Sequence, residues 1–247
     1  MKFDPTDSIL KIMTRLLVSL ASLCCIFTSA LFAQEKPSTT LEIRTLAFTP
    51  DLQQKSAFAH DPTAADSAVA IPTPIKSYLN HEFAAVPLTA RKIVFTTKPD
   101  RSSLNTPADI IGEATIPDGV KSAILIFLPA NPGSTQRCQI MAIQDSKQAF
   151  PSGSIHITNL SPHPIRLILE KKNFDFKAGQ TQIIQDPPVR EGDMTGMRTF
   201  VFRDNAWSPV STGLWPHPGK ARCVKILFQN PSSGSIQLRA FDDVPPR

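Results

Sequence analysis

The feature that most constrains the fold of this chain is a β-rich pattern that occurs twice along it. The matching segments follow the same order in both halves: 43–50 with 155–162, 75–79 with 165–169, 92–94 with 182–184, 125–127 with 226–228, and 139–145 with 237–243. The most similar of these pairs are the first and the last, IRTLAFTP with IHITNLSP and QIMAIQD with QLRAFDD. Because the blocks are collinear and define two units of ordinary domain size, the sequence predicts an internal duplication into two modules.

Each module has the pattern of an all-β domain. After residue 40 there is almost no helical periodicity, and short runs rich in Val, Ile, Phe and Thr alternate with Pro, Gly, Asn and Asp, which is typical of strands joined by turns. The predicted strands lie at 41–48, 75–80, 91–97, 121–128, 137–143, 153–160, 164–170, 180–185, 197–203, 206–213, 222–228 and 235–241. Each module has roughly the length of an immunoglobulin-like sandwich, about 100 residues. The predicted fold is therefore two tandem immunoglobulin-like β-sandwich modules, at 41–146 and 152–244, after a linker at 34–40.

The N-terminus has the features of a secretory signal peptide. Lys11 and Arg15 precede an uncharged stretch of apolar and small residues from 16 to 33, and such a stretch behind a basic flank is typical of a cleaved export signal. A membrane anchor is the alternative, but this stretch contains four hydroxyl residues and is short for a bilayer span. We expect a signal peptide at 1–33, a periplasmic or extracellular protein, and no membrane span after cleavage.

The charge of the chain is weakly basic and dispersed. The formal net charge is +5 at pH 7 and the sequence pI is about 9.1, but the densest basic run is only Lys171-Lys172. Nucleic-acid binding normally requires a clustered basic stripe or a recognisable motif. We therefore expect no nucleic-acid partner and a solvated surface with modest attraction for acidic polymers.

The cysteines favour free thiols. Cys24 and Cys25 lie in the predicted signal peptide, without the leucine and small residue that precede a lipidated cysteine. In the repeat, Cys138 matches Ile236 and is predicted to face the core of its module, whereas Cys223 is out of phase with its apolar neighbours and is predicted to point away from the core. Export permits a disulfide, but this placement argues against one between Cys138 and Cys223.

Two segments have no partner in the repeat, 51–74 and 197–219, and binding groups are usually found on such excursions from a scaffold. The second segment contains both tryptophans of the protein and a rigid WPHPG loop. Aromatic and cationic side chains there are suited to stacking on sugar rings or to anchoring a partner. The candidate ligand-binding residues are Trp207, Trp215, His217 and Arg203. The alternative is that Trp207 and Trp215 pack the segment onto the sandwich, since large aromatic residues are usually substantially buried.

Catalytic motifs are weak. The sequence has no Gly-x-Ser-x-Gly nucleophile elbow and no phosphate-binding loop, and its five histidines lack metal-ligand spacing. Residues 159–161 fit a glycosylation acceptor formally, but the following proline indicates a strand that ends in a turn. We predict no catalytic residue, no cofactor and no metal, and expect that the protein is not an enzyme.

A resemblance covers about 90 residues of the second module. The segment 153–162 (GSIHITNLSP), followed by Pro164-Ile165-Arg166 and the turn KAGQ at 177–180, resembles exported bacterial β-sandwich domains whose function is not established. Their opening strand ends in Asn-Leu-Ser-Pro or a close variant, and the accessory proteins of exopolysaccharide O-acetylation are distantly similar. The first module departs from this pattern at 47–49, where it has Ala-Phe-Thr. The resemblance implies an exported β-sandwich and supplies no catalytic residues.

Three functions fit these features. The first is a non-catalytic binding or structural protein of the cell envelope, which presents loops of both modules to a polysaccharide or protein partner. The second is a periplasmic chaperone-like protein that binds by β-strand addition and needs an exposed apolar edge strand. Lys121 to Leu128 is the candidate edge, although its apolar run is more typical of a buried central strand. The third is an envelope polysaccharide hydrolase, with a carboxylate- or histidine-lined cleft between the modules.

Overall fold

The runs of β-branched and aromatic residues form short strands, as their preference for a pleated, half-buried surface predicts. The computed structural model describes residues 38–79, 81–131, 133–190 and 192–243. The predicted signal peptide and most of the predicted linker lie outside the described residues. Within those ranges, no helix has the length and apolar character that a bilayer span requires.

The described residues form sixteen strands, eight in each module. Those of the first module are β1 (Thr39–Ala47), β2 (Phe58–His60), β3 (Ile71–Pro72), β4 (Ala84–Leu88), β5 (Lys92–Thr96), β6 (Ile110–Thr115), β7 (Ser122–Pro129) and β8 (Cys138–Gln144). Those of the second are β9 (Ile155–Asn159), β10 (Ile165–Leu169), β11 (Lys172–Phe176), β12 (Thr181–Ile184), β13 (Met194–Arg203), β14 (Ala206–Pro216), β15 (Arg222–Gln229) and β16 (Ile236–Asp243).

The two modules have the same strand order. Each contains an inner sheet, β4-β1-β7-β8 or β12-β9-β15-β16, and an outer sheet, β3-β2-β5-β6 or β11-β10-β13-β14. In both inner sheets the first strand pairs parallel with the seventh, and the other pairs are antiparallel. The predicted fold class, two tandem immunoglobulin-like β-sandwich modules, is confirmed, and the shared strand order is consistent with the predicted internal duplication. Four strands per sheet give each module one strand more than a seven-stranded immunoglobulin constant domain.

The backbone register corrects one of the predicted matches. In the β1–β7 pair, Thr45 lies opposite Leu125. In the β9–β15 pair, Ile157, which is the repeat-mate of Thr45, lies opposite Lys225. The counterpart of Leu125 is therefore Lys225, whereas the matching of apolar letters had paired Leu125 with Ile226. A shift of one residue along a strand exchanges its two faces.

That shift explains the wrong orientation predicted for Cys223. Its side chain packs in the core of the second module with Leu227 rather than away from it. Cys138 lies in the core of the first module, as predicted. Both cysteines are buried and free, and burial raises the pKa of each thiol to about 11.

Two other predicted matches fail because they rest on apolar residues in strands with different neighbours. The first of them pairs 75–79 with 165–169, which is strand β10. Residues 75–79 form only isolated bridges, through Ile75 and Lys76, and the strand of the first module that is equivalent to β10 is β2. Strand β5 lies in an outer sheet and β12 in an inner one, so 92–94 and 182–184 are not equivalent.

The segment 197–219 is likewise not an addition to the repeat. It holds most of the β13–β14 hairpin, which is the counterpart of β5–β6. The modules differ instead in the loops of their outer sheets. In the first module long loops at 61–70 and 97–109 connect β2 to β3 and β5 to β6. In the second module tight turns at 170–171 and 204–205 make the same connections, with positive φ at Glu170, Asp204 and Asn205.

In the described part of the chain, three hydrophobic cores lie between the four sheets. One core fills each sandwich, between its inner and outer sheets. The third lies between the two inner sheets and contains Leu46, Ile124 and Ile126 of the first module with Val224 and Ile226 of the second. Both modules belong to one compact unit. Strands β1, β7, β9 and β15 are therefore covered on both faces, which explains their long runs of consecutive buried residues.

This packing places the candidate chaperone edge at the centre of a sheet. The segment Lys121 to Leu128 lies almost wholly in β7, which pairs with β1 on one side and β8 on the other. Its backbone donors and acceptors are used within the sheet, so this strand has no free edge for β-addition.

Four charged side chains are buried together where the modules meet. Arg44 binds Asp243 through two hydrogen bonds, of 2.7 and 2.9 Å, and its Nε donates to Asp145 at 2.9 Å. Arg222 donates to Asp145 at 2.8 Å and also binds Asp243. All four side chains are at most 2% exposed. This set, here called the Arg–Asp quartet, balances two positive charges with two negative ones and links strands of both inner sheets.

The ends of β1 and β9 show where the modules diverge. Asn159 ends β9 and is fully buried; its amide donates to the carbonyl oxygens of His163 and Lys177, and its Oδ1 accepts from the backbone N–H of Ser161. The formal glycosylation acceptor is thus the start of a turn, as predicted. Its repeat-mate in the first module is Ala47, and the next residue, Phe48, packs into the core between the inner sheets.

Candidate functional site

The second module leaves one face of its outer sheet open to solvent. On β10 the alternation of side chains buries Ile165, Leu167 and Leu169 in the core and turns Arg166 outward, because strand side chains alternate between faces. Phe202 on β13 pairs with Trp207 on β14, and both are half-buried. In the first module the same face is covered by the loops at 61–70 and 97–109, which the second module replaces with tight turns.

The outward side chains form a continuous row across the sheet. Arg166 pairs across β10 and β11 with Asp175, through two parallel hydrogen bonds of 2.6 and 2.7 Å. Its guanidinium carbon lies 4.4 Å from the centre of the Trp207 ring, and Trp207 contacts Phe202 with ring centres 5.3 Å apart. We call Arg166, Asp175, Phe202 and Trp207 the aromatic platform.

The electrostatics of the platform hold its polar groups in one arrangement. The hydrogen bonds from Arg166, aided by its charge, lower the pKa of Asp175 despite partial burial. The carboxylate is therefore ionised at neutral pH and fixes the plane of the guanidinium. Within the described residues Nη1 of Arg166 has no hydrogen-bond partner, and the side chain is 31% exposed. The platform thus offers an indole, free N–H donors and an exposed carboxylate side by side.

Trp215 does not lie on this platform. Its side chain is 6% exposed and belongs to the core of the second module, under the ammonium of Lys225, which lies 4.1 Å from the ring centre. Because Trp207 and Trp215 lie on opposite sides of β14, one tryptophan packs the hairpin onto the sandwich and the other faces outward. In a regular strand residues 207 and 215 would lie on the same face. The β-bulge at Thr199 and Phe200 in the β13–β14 pair shifts this alternation, so that the two tryptophans face opposite sides.

Arg203 and His217 lie apart from the platform as well. Arg203 donates to the carbonyl oxygen of Gly234 at 3.2 Å and ties the end of β13 to the β15–β16 turn. His217 Nδ1 accepts the backbone N–H of Gly219 at 3.0 Å, and its Nε2 is 3.9 Å from Asp186. The structure therefore distributes the four predicted ligand-binding residues over four places and puts only Trp207 of them on the platform.

Sequence reasoning missed Arg166 and Asp175. Both are single charged residues in strands, and only the pairing of β10 with β11 and β13 brings them beside Trp207. A usable signal was the charged residue in the otherwise apolar run 165–169 (IRLIL), since a lone Arg at an outward position of a strand marks a solvent-facing row.

Comparisons with known proteins give little. No protein-family model matches the chain, and no curated protein matches it. Among solved structures, the chain is similar to a protein from Bacteroides uniformis ATCC 8492 described as a "putative cell adhesion protein", with 8% identity. The similarity covers 85% of this chain and 98% of the other, at a TM-score of 0.18.

Proposed function

We propose that this is an exported, non-catalytic binding protein of the cell envelope and that its second module presents the aromatic platform to a polysaccharide. The observation that carries the proposal is the stack of Arg166 on Trp207 with Arg166 held by Asp175. Sugar rings present C–H groups that pack on aromatic surfaces, while planar guanidinium and carboxylate groups bind neighbouring hydroxyls with defined geometry.

A flat platform suits a polymer better than a small molecule. Small-molecule sites are normally concave and bury most of the ligand, whereas this row extends across four strands on an open sheet face. A glycan chain or a protein surface can lie across such a face, and the exposed carboxylate of Asp175 beside the guanidinium of Arg166 favours the polar polymer. The N-terminal signal pattern supports delivery to the envelope.

The arrangement of carboxylates supports a non-catalytic role. Glycosidic cleavage by the usual mechanism requires two carboxyl groups that reach the substrate from opposite sides of the bond. At the boundary between the modules, Asp145 and Asp243 are buried and ion-paired with arginines. They are therefore not accessible to a polymer, as a hydrolase with its cleft there would require.

The test is retention of the mature protein on purified envelope polysaccharides, by affinity electrophoresis. Trp207→Ala and Arg166→Ala should each weaken retention about tenfold or more, because each removes a central contact. Tyr78→Ala is the matched control, since Tyr78 is an aromatic residue 59% exposed on the first module. Equal retention of wild type and Trp207→Ala would contradict the platform, and release of new reducing ends would contradict the non-catalytic assignment.

Export is tested separately by the N-terminal sequence of the protein recovered from the producing cell. We expect the mature chain to begin at Gln34, after removal of residues 1–33. Recovery of an intact N-terminus would contradict this part of the proposal.

A further inference from the structure

The loops that distinguish the first module build a cleft on its outer sheet. The loops at 61–70 and 97–109 fold beside β5 and β6 and enclose a cleft of about 510 Å³. This volume falls within the range of small-ligand sites, roughly 300–1,000 Å³. The cleft and the aromatic platform lie on different outer sheets, with both inner sheets between them, so they are separate places on the molecule.

The rim of the cleft is held in one conformation. Arg101 donates to the carbonyl oxygens of Asp61 and Pro62, each at 3.1 Å, and also to that of Ala64. The Asp61 carboxylate accepts hydrogen bonds from the backbone and hydroxyl of Thr63, at 2.8 and 2.7 Å, and from Thr89. Burial raises the pKa of Asp61, but these hydrogen bonds outweigh it and leave the pKa lowered. A braced rim reduces the entropy lost when a ligand binds.

The lining combines an apolar floor with polar walls. Val94, Leu104 and Ile110 are buried or half-buried and lie at the floor. The walls carry two positive groups and two negative ones, which pair as Lys92 with Glu113 at 2.5 Å and Arg101 with Asp66 at 3.3 Å, together with Ser102 and Asn105.

This charge balance selects among ligands. An anion would be attracted by Lys92 but repelled by Glu113 and Asp66. A cation would be attracted by these two carboxylates but repelled by Lys92. A neutral ligand with many hydroxyl groups can instead donate to the carboxylates and accept from the ammonium and the Asn105 amide. No aromatic side chain lines the cleft among the described residues, so hydrogen bonds would supply the specificity and the apolar floor would contact C–H groups.

We propose that this cleft is a second binding site, for a short segment of a neutral oligosaccharide. The site does not depend on the aromatic platform, and its ligand need not be the polymer that the platform binds. The mixed donors and acceptors of the walls match the hydroxyl pattern of a sugar, and the volume accommodates more than one ring.

The experiment is calorimetric titration of the mature Trp207→Ala protein, in which the platform is disabled, so that failure of the platform and failure of the cleft give different results. The probes are cellohexaose, maltohexaose and β-mannohexaose as neutral ligands, hexagalacturonate as an anion, and chitosan hexamer as a cation. Leu104→Trp fills the cleft from its floor, Ser102→Trp fills it from its exposed wall, and Lys147→Trp at an exposed position elsewhere is the control.

We expect at least one neutral hexasaccharide to bind, with affinity reduced about tenfold or more by the filling variants and unchanged by Lys147→Trp. Ser102→Trp lies on the surface and keeps the test valid if Leu104→Trp does not fold. Binding of charged probes alone, binding of none, or neutral binding that persists in a folded filling variant would overturn the proposal.

Discussion

At the scale of single residues, the Arg–Asp quartet is the group whose loss would cost most. Each guanidinium contacts both carboxylates, and none of the four side chains is more than 2% exposed. Removing one member of such a group leaves an uncompensated charge in a region shielded from solvent, which costs more than the loss of an exposed pair. The quartet therefore fixes the position of one module against the other.

Asp243→Asn should lower the free energy of unfolding by about 3–5 kcal/mol, because Arg44 and Arg222 would share a single carboxylate. The matched control is Asp175→Asn, the same substitution in the exposed pair with Arg166, which should cost about 1 kcal/mol or less. Urea unfolding of the three proteins measures both values. Equal losses for the two variants would contradict the role assigned to the quartet.

Stability should also fall in acid through His156. Burial lowers its pKa to about 4, against an ordinary value of 6.5. The unfolded chain therefore binds this proton more tightly than the folded one. The free energy of unfolding should be highest above pH 6.5 and should fall as the pH drops toward about 4, by up to roughly 1.4 kcal/mol per pH unit.

His156→Leu should make that decline shallower, because the folded and unfolded chains then no longer differ in how tightly they bind this proton. His60, whose pKa burial also lowers, contributes in the same sense, so some decline should remain. Below about pH 4 a second decline should follow. Burial raises the pKa of Asp243, but the arginines outweigh it and hold the pKa below 3.8. Chemical denaturation at intervals between pH 3 and pH 8 measures the curve, and identical slopes for wild type and His156→Leu would contradict the assignment.

At the scale of elements, the strands were largely predictable and their partners were not. All seven strands predicted in the second module exist, because each carries an apolar run bounded by turn residues. Five strands were missed: β2, β3, β4, β6 and β11. The first three have five residues or fewer and contain Ala or Pro, β6 contains Gly112 and Glu113, and β11 has only two apolar residues. The strand predicted at 75–80 forms only isolated bridges. The sequence comparison placed Ile226 instead of Lys225 at the position of Leu125, because a lysine does not match an apolar residue. In the structure the ammonium of Lys225 packs on Trp215 within the buried strand.

The candidate site shows the same limit. Trp207 was identified because both tryptophans lie in one segment, but the sequence could not separate Trp207 from Trp215. Which of them faces solvent depends on the bulge near Thr199 and on the pairing of β13 with β14. Arg166 and Asp175 join the site only through cross-strand neighbours, which no local pattern contains.

The β13–β14 turn offers a test at this scale. Asp204 and Asn205 both have positive φ, 51° and 59°, as a two-residue hairpin turn requires. Asn205→Val should destabilise the protein by about 1–2 kcal/mol, because a β-branched residue is strained in the left-handed region. Asn205→Gly should remain within about 1 kcal/mol of wild type. Thermal unfolding compares them, and a harmless valine would indicate that the turn is not held in this form.

At the scale of the whole molecule, the two sandwiches share a core and should unfold together. Phe48 lies between the inner sheets, where its ring is 5.0 Å from that of Phe228 and is also contacted by Phe241. Ile226 is fully buried in the same cluster. A boundary made of apolar side chains and a buried ion network couples the stability of the modules, unlike a flexible linker.

Wild-type protein should therefore show a single unfolding transition in urea, with the same midpoint by tryptophan fluorescence and by circular dichroism. Both tryptophans report on the second module, whereas circular dichroism reports on both modules. Ile226→Asp should separate the two midpoints, because it puts a charge into the shared core. Two transitions in the wild type would contradict the coupling.

Phe48→Ala should destabilise the whole molecule by about 3–5 kcal/mol, as expected for a buried phenylalanine. Its repeat-mate Leu160 is 37% exposed, so Leu160→Ala should cost about 0.5 kcal/mol. The comparison isolates the boundary, since the two residues hold equivalent positions in the repeat. Similar losses would show that the boundary contributes no more than the surface.

The distance along the chain between the partners of Arg44 bears on biosynthesis. Arg44 is in the first strand, and its bidentate partner Asp243 is 199 residues later, at the end of the last strand. A chain that stops short of that strand would hold two buried arginines against one aspartate and would leave one backbone edge of β15 unpaired. We therefore expect a chain truncated before β16 to be less stable and more open to proteases than the full chain.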